Sequence, residues 1–327
     1  MRYQQLPDTF DVSKFNSCAH HPLQSWEWGT ARQKTGVKVV RIGQFQDNNL
    51  FAVFTLSIHQ LPLLPYFIGY IPRSVSPTKE LIKFLNVYGR KNNLIFIKFE
   101  PYETDKNKFK IENYKASPHP LFPKWTQLLD LTKSKDELLS KMKPKTRYNI
   151  NYAIRNGVTV KELSTDDGFE IFSDLYFKTT NRQKYFGHTK KYHSIIWNSL
   201  KKNIAHILIA YHDGIPLCAY ELFLFGDRLY YPYGGSSIEK RNLMASNLLM
   251  WEAIKFGKKN NAKVFDMWGS LPPDYDRQNS WSGFTKFKEG YGTEFVEFID
   301  SYDIVIRPVL YKLYNIAYWF RERLLQR

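Results

Sequence analysis

The chain has 327 residues, 43% of them hydrophobic, so it can bury two domains of about 150 residues each and is not a disordered polymer. Its net charge is +16, from 47 Lys and Arg against 31 Asp and Glu, which points to a polyanionic partner: nucleic acid, a phosphorylated small molecule or an anionic membrane surface. Two distant cysteines, Cys18 and Cys218, exclude a disulfide framework and a zinc site and fit a reducing cytoplasm.

The first residues, Met1 to Asp8, contain no apolar run of the signal-peptide kind, so no secretion signal is expected. Val37–Phe45 and Leu50–His59 flank the turn Gln46-Asp47-Asn48-Asn49, and Tyr66–Pro72 follows, which reads as an antiparallel meander. The apolar stretch from Leu50 to Ile71 is broken by His59, Gln60, Pro62 and Pro65 and is no single membrane span. Ser76-Pro77 predicts an N-cap and first turn for a helix through Leu81, Phe84 and Leu85. That helix closes at Gly89-Arg90-Lys91-Asn92-Asn93 and leads into the strand Leu94–Glu100.

The domain junction is expected near Leu131-Thr132-Lys133, before one helical stretch from Lys135 to Asn156. Strands His206–His212, Ile215–Phe225 and Arg228–Tyr233 then turn at Asp213-Gly214 and Gly226-Asp227. A helix with Ala245, Leu249 and Ala253 on one face closes at Gly257-Lys258-Lys259-Asn260-Asn261 and leads into Ala262–Asp266. Meander, helix and final strand therefore occur twice, with an acid ending each final strand. The fold class is α+β, two tandem domains in the element order of the GNAT acyltransferases. The expected boundaries are 1–132 plus 301–327 for the first domain and 133–300 for the second. The amphipathic segment Val309–Arg327 is expected to pack back on the first domain, with a membrane surface as its alternative seat.

Acyl-CoA enzymes of this fold cradle the pyrophosphate in a glycine-bearing loop before the helix, where bare backbone N–H groups meet phosphate. Here that stretch is Ser237 to Ala245, without glycine, and the first copy offers Arg73-Ser74-Val75-Ser76-Pro77. Coenzyme A is disfavoured in both halves, and no cofactor and no metal are expected.

The motifs that remain resemble the Fem family of peptidoglycan-bridge aminoacyltransferases across nearly the whole chain. They are Gln24-Ser25-Trp26-Glu27-Trp28, with Arg32 four residues on, Tyr70-Ile71-Pro72-Arg73, and Met142-Lys143 with Arg147, Asn149 and Ile150. Tyr231-Pro232-Tyr233-Gly234-Gly235-Ser236, Asn247 with Trp251, Asp266-Met267-Trp268-Gly269 and Phe287-Lys288-Glu289-Gly290-Tyr291-Gly292 complete the set. The resemblance implies an aminoacyl-tRNA donor and a stem-peptide amine of a UDP-linked or lipid-linked muramyl precursor as acceptor. It implies no covalent intermediate, a monomer, and a cytoplasmic location with peripheral contact at the inner membrane face. The rival readings are a related transferase acting on another acceptor and a non-catalytic, basic RNA- or membrane-binding relative.

The same resemblance implies the site. Lys288 would be the catalytic cation at the developing oxyanion, with Phe287 flanking it and stacking on the terminal tRNA base. By spacing alone Lys288 reads as a solvated lysine; its motif reverses that. Arg32 would hold the precursor diphosphate. His188 stands where the family places a second arginine, four before Tyr192, which points away from strong diphosphate binding there and leaves Lys190 or Lys191 to compensate. Tyr192 would hydrogen-bond the precursor. Of Tyr231 and Tyr233 only one is expected to face the cleft, and Tyr233, beside Gly234, is the candidate. Tyr102 is a candidate acceptor contact, Asp266 is read as structural, and Arg147 as a tie between the domains.

Overall fold

The computed structural model describes residues 1–105, 115–184 and 187–325. Two compact units divide the chain, Met1–Phe122 with Phe298–Arg327, and Pro123–Glu297. The first unit opens with β1 (Arg2–Gln5), α1 (Val12–Ser17) and α2 (Trp26–Lys34). It continues through β2 (Lys38–Gln46), β3 (Asn49–Gln60), β4 (Phe67–Ser74), α3 (Lys79–Lys91), β5 (Leu94–Pro101) and β6 (Lys115–Ala116). Asp47 and Asn48 take positive φ, 47° and 64°, and close a two-residue hairpin with Gln46 opposite Asn49, as Asp and Asn allow.

The second unit begins with β7 (Trp125–Asp130), α4 (Lys135–Lys141), α5 (Pro144–Arg155), β8 (Thr159–Glu162), α6 (Asp166–Gln183) and α7 (Lys190–Leu200). Its meander is β9 (Ala205–His212), β10 (Ile215–Phe225) and β11 (Arg228–Ser236), followed by α8 (Ala245–Lys259), β12 (Val264–Asp266), α9 (Ser282–Glu289) and β13 (Glu294–Glu297). The chain then returns to the first unit as β14 (Tyr302–Val305) and α10 (Pro308–Leu325). Gln326 and Arg327, the last residues of the expected C-terminal helix, lie outside the described residues.

Among the described residues each unit holds a seven-stranded sheet, β1-β2-β3-β4-β5-β14-β6 in the first and β13-β7-β12-β11-β10-β9-β8 in the second. In each, the strand after the meander helix runs parallel to the meander's last strand, with every other pairing antiparallel. The parallel pairs differ in extent. β4 and β5 are paired from Phe67 to Ser74. β11 and β12 are paired only at Arg228–Tyr230 with Val264–Asp266, so β11 runs on for six residues without that neighbour.

Three expectations need correcting. The boundary falls at 122/123 rather than after Thr132, because β7 hydrogen-bonds between β12 and β13 of the second sheet. At the other end Ile299 donates to the Glu103 carbonyl, so 298–300 belong to the first unit. The stretch 135–156 is two helices: Lys143, before Pro144, sits at ψ 142°, since the proline ring bars its neighbour from the helical region. Finally, α3 is capped by Thr78, whose side chain accepts from Leu81 N, and Ser76-Pro77 precede the helix.

The second core lies between the sheet and α8 with α5, around Leu229, Tyr231, Leu249, Ile254 and Phe265. On the opposite sheet face α6 approaches β11 closely. A Cβ on Gly235 would overlap the backbone of Leu175 and Tyr176. Gly235→Ala is therefore expected to lower stability by about 2 kcal/mol or more, read as a fall in the thermal unfolding midpoint.

Candidate active site

Lys288 lies near the end of α9, its side chain fully buried at 0% exposure. Its Nζ donates to the carbonyls of Met267 and Gly269, each at 2.5 Å. These residues follow directly on β12, where the parallel pairing has ended. Trp268 and Gly269 take φ of 65° and 129°, and that bend turns both carbonyls toward one point. Asp266 holds the bend: its carboxylate accepts from Trp268 N at 2.8 Å and from Thr126 Oγ1 at 2.6 Å. Removal from water pushes the Lys288 amine well below its ordinary 10.5, against the opposing pull of the Asp266 carboxylate.

The ring over the amine is Phe284, 3.5 Å from Nζ to centroid. Phe284 is 41% exposed and meets Trp281, 39% exposed, edge to face. Phe287, expected beside the cation, instead turns its ring onto Tyr291 at 5.4 Å. The rest of that motif is an anchor. Tyr291 OH donates to the Asn247 carbonyl, Asn247 Nδ2 to Tyr291 OH, and Asn149 Nδ2 to Asn247 Oδ1. Glu289 accepts from Lys143 Nζ at 2.8 Å and from Tyr275 OH at 2.6 Å. Arg147 donates to the carbonyls of Leu139, Ser140 and Met142, closing α4, so these contacts lie within the second unit rather than between domains.

Trp268 carries the site onto the α6 side of the sheet. Its ring meets Phe223 and Tyr230 at 6.2 and 5.9 Å. Tyr233 follows, touching Phe223, Tyr176 and His193. His188 stacks on Tyr192 at 3.8 Å, and both rings border His193. Lys190 is paired with Glu170 at 2.7 Å. A regular strand would set Tyr231 and Tyr233 on one face. Between the pairs Glu221–Tyr233 and Phe223–Tyr230, two residues of β11, Tyr231 and Pro232, oppose one of β10, Leu222, and this bulge sends the two tyrosines apart. Tyr231 joins the core against Tyr220, and Tyr233 faces α6.

Two further residues occupy this face. Glu221, opposite Tyr233 across the strands, is 0% exposed, and neither carboxylate oxygen has a hydrogen-bond partner. Burial pushes its carboxyl up to about 8. His193 is buried with both ring nitrogens unpartnered, and burial and the nearby His188 bring it down to about 4. A carboxylate inside the apolar run Ile215–Phe225 was the available signal for Glu221.

In the first unit Gln24 binds β3 and β4 together: it donates to the Pro72 carbonyl and accepts from Thr55 N. Ser25 caps α2 and so sets Arg32 on that helix. The Arg32 cation acts on His59 and on Tyr70, whose hydroxyl donates to Glu100 Oε2 at 2.5 Å. Desolvation and Glu100 push the Tyr70 phenol well above its ordinary value. Arg73, buried at φ 45°, lies over the rings of Phe122 and Phe298, and Phe298 also meets Tyr102 at 4.8 Å. Arg32 and Tyr102 thus border one polar cluster with Tyr70, Arg73 and Glu100, while Lys288, Phe287, His188, Tyr192 and Tyr233 belong to the second unit. Among the described residues no three His, Cys, Asp or Glu side chains gather as a metal cluster.

Two mixed sheets, each with the strand after its meander helix parallel to the meander's last strand, make a tandem GNAT-like fold. A tandem GNAT protein from the clavulanic acid pathway superposes with a TM-score of 0.52 at 10% identity, covering 92% of this chain and 96% of that one. A crystal structure of FemX superposes at 0.83 with 21% identity, covering 96% and 99%. The FemAB family model matches residues 8–119, 115–214 and 210–319, and the chain belongs to that family. Lipid II:glycine glycyltransferase of Staphylococcus aureus (strain MRSA252) is 24% identical over 385 residues, 89% of each chain. The chain is an acyltransferase.

The sign of the Glu221 shift gives a stability test. A carboxyl raised to about 8 costs nothing below its unfolded value near 4.5 and lowers stability as pH rises from there to 8. Glu221→Gln should therefore gain up to about 4 kcal/mol on wild type at pH 8 and little at pH 4.5, in denaturant melts at the two pH values.

Proposed function

We propose that this protein moves an aminoacyl group from an aminoacyl-tRNA to the stem-peptide amine of a lipid-linked muramyl precursor, building the interpeptide bridge. The observation that carries the reading is Lys288, buried against two carbonyls inside the family's Phe-Lys-x-Gly-Tyr-Gly motif. The likeness to the lipid II:glycine glycyltransferase of Staphylococcus aureus supports a lipid-linked acceptor.

The acceptor amine attacks the ester carbonyl. A C–N bond forms, the C–O bond to the ribose breaks, and the proton lost by nitrogen leaves on the ribose hydroxyl. Between these events the carbonyl oxygen carries negative charge. An ammonium has three donors. Met267 and Gly269 hold two of those of Lys288, and the third serves the oxyanion. Burial weakens this cation in the free enzyme, and a neighbouring oxyanion strengthens it, so the stabilisation is greatest when the charge develops. Phe284, exposed and lying on the amine, is the ring that an entering terminal base displaces or stacks upon, the part first assigned to Phe287. Tyr192 serves as a hydrogen-bonding contact to the precursor, with His188 stacked on it, and Tyr233 as a further substrate contact. Arg32, joined by Arg73, supplies cations for the precursor diphosphate, with Tyr102 as an acceptor contact.

The test is to incubate the protein with a mixed aminoacyl-tRNA pool and either lipid II in detergent or UDP-linked pentapeptide, and to read product masses. One added aminoacyl unit is expected. Lys288→Ala should reduce kcat by about a hundredfold or more with an unchanged circular dichroism spectrum. Transfer to protein N-termini alone, or full activity in the variant, would contradict the reading.

A further inference from the structure

Helix α10 has two apolar faces. Leu310, Tyr311 and Tyr314 pack inward with Ile95 and Phe96 of β5, and Tyr311 OH donates to buried Asp303 at 2.8 Å. On the other side Val309, Leu313, Ile316 and Phe320 recur at spacings of four, three and four, which places them in one stripe along the helix. They are 72, 57, 54 and 57% exposed, and Trp319 is 44% exposed. Lys312, Arg321 and Arg323 are exposed along the same helix, and the Arg323 guanidinium lies 3.6 Å from the Trp319 ring centroid. Glu322 is the only acid of α10.

A second apolar element adjoins this helix. Leu61 and Tyr66, the stems of the β3–β4 loop, pack in the same cluster as Leu310 and Tyr314, and Arg307 lies over the Tyr66 ring. The loop tip carries Leu63, 102% exposed at φ 62°, and Leu64, 49% exposed. A leucine held in the left-handed region and turned fully to water gains nothing for the fold of the first unit.

We propose that α10, with the Leu63–Leu64 tip beside it, docks the protein on an anionic lipid bilayer as an interfacial helix lying in the membrane plane. The composition fits that occupant: an aliphatic stripe for the acyl boundary, Trp319 for the interface, and lysine and arginines for lipid phosphates. Among the described residues no helix is long and apolar enough to cross a membrane, so the helix lies on the surface. A second copy fits less well, because pairing two α10 stripes would set Lys312, Arg321 and Arg323 against their own counterparts. The inference rests on the lipid-linked acceptor for its purpose, since docking would bring the enzyme to an acceptor held in that bilayer.

Flotation of the whole protein with vesicles tests docking without any catalysis. Binding is expected to vesicles of phosphatidylglycerol with phosphatidylcholine, and much less to phosphatidylcholine alone. Ile316→Glu with Phe320→Glu should weaken binding about a hundredfold, and Arg321→Glu with Arg323→Glu should abolish the preference for anionic lipid. These side chains are exposed, so thermal melts of the variants should match wild type. Failure to float, or binding that Ile316→Glu with Phe320→Glu leaves intact, overturns the proposal. So does a stable dimer in light scattering that the same variant dissolves, which would assign the stripe to a second copy. Vesicle binding without aminoacyl transfer would support docking while overturning the transferase reading.

Discussion

The second unit is organised around one costly arrangement, an amine removed from water and held by two backbone carbonyls. A buried ammonium without partners is prohibitively unfavourable, so the Met267 and Gly269 carbonyls must be aimed at it. Aiming them requires a left-handed bend at Trp268, which Asp266 and Thr126 hold in turn. Gln127 ties the helix bearing the lysine to β7 by donating to the Thr285 carbonyl. Glu289 and Tyr291 anchor the other side of the motif to Lys143 and Asn247. Motifs distant in sequence meet because each fixes part of the frame around that nitrogen.

The two units share an element order and differ in what their parallel strands do. In the first, β4 and β5 stay paired to their ends, and the acid that closes β5 is consumed by structure: Glu100 accepts from Tyr70 OH, Leu121 N and Ser301 Oγ. In the second, pairing stops at Tyr230 and Asp266, and the acid there shapes the bend that receives Lys288. One acid position of the repeat thus serves two ends. Beyond the end of that pairing, the bulge in β11 turns Tyr233 toward α6, opposite Glu221.

Much of the fold was legible, because period-two runs, hairpin turns and helix closures repeat in order. Other features needed three dimensions. The bulge at Tyr231-Pro232 sets the two tyrosines on opposite faces of the sheet, and residue types alone do not locate the extra residue. The assignment of β7 to the second sheet depends on long-range pairing with β12 and β13. The helix break at Pro144 and the place of Phe284 were readable from local rules. A proline excludes its predecessor from the helix, and residues four apart on a helix share a side, so Phe284 rather than Phe287 lies beside the Lys288 amine. Glu221 and His193 carried only a faint signal, a polar residue among apolar ones, whose meaning depends on burial.

The central claim concerns the charge and setting of one nitrogen, so it is best tested there. Lysines labelled with carbon-13 at the ε position can be titrated by NMR in the folded protein, with Lys288→Arg assigning the resonance. The account predicts that Lys288 titrates well below the ordinary 10.5 and apart from the surface lysines. A Lys288 resonance that titrates with the surface set would contradict it.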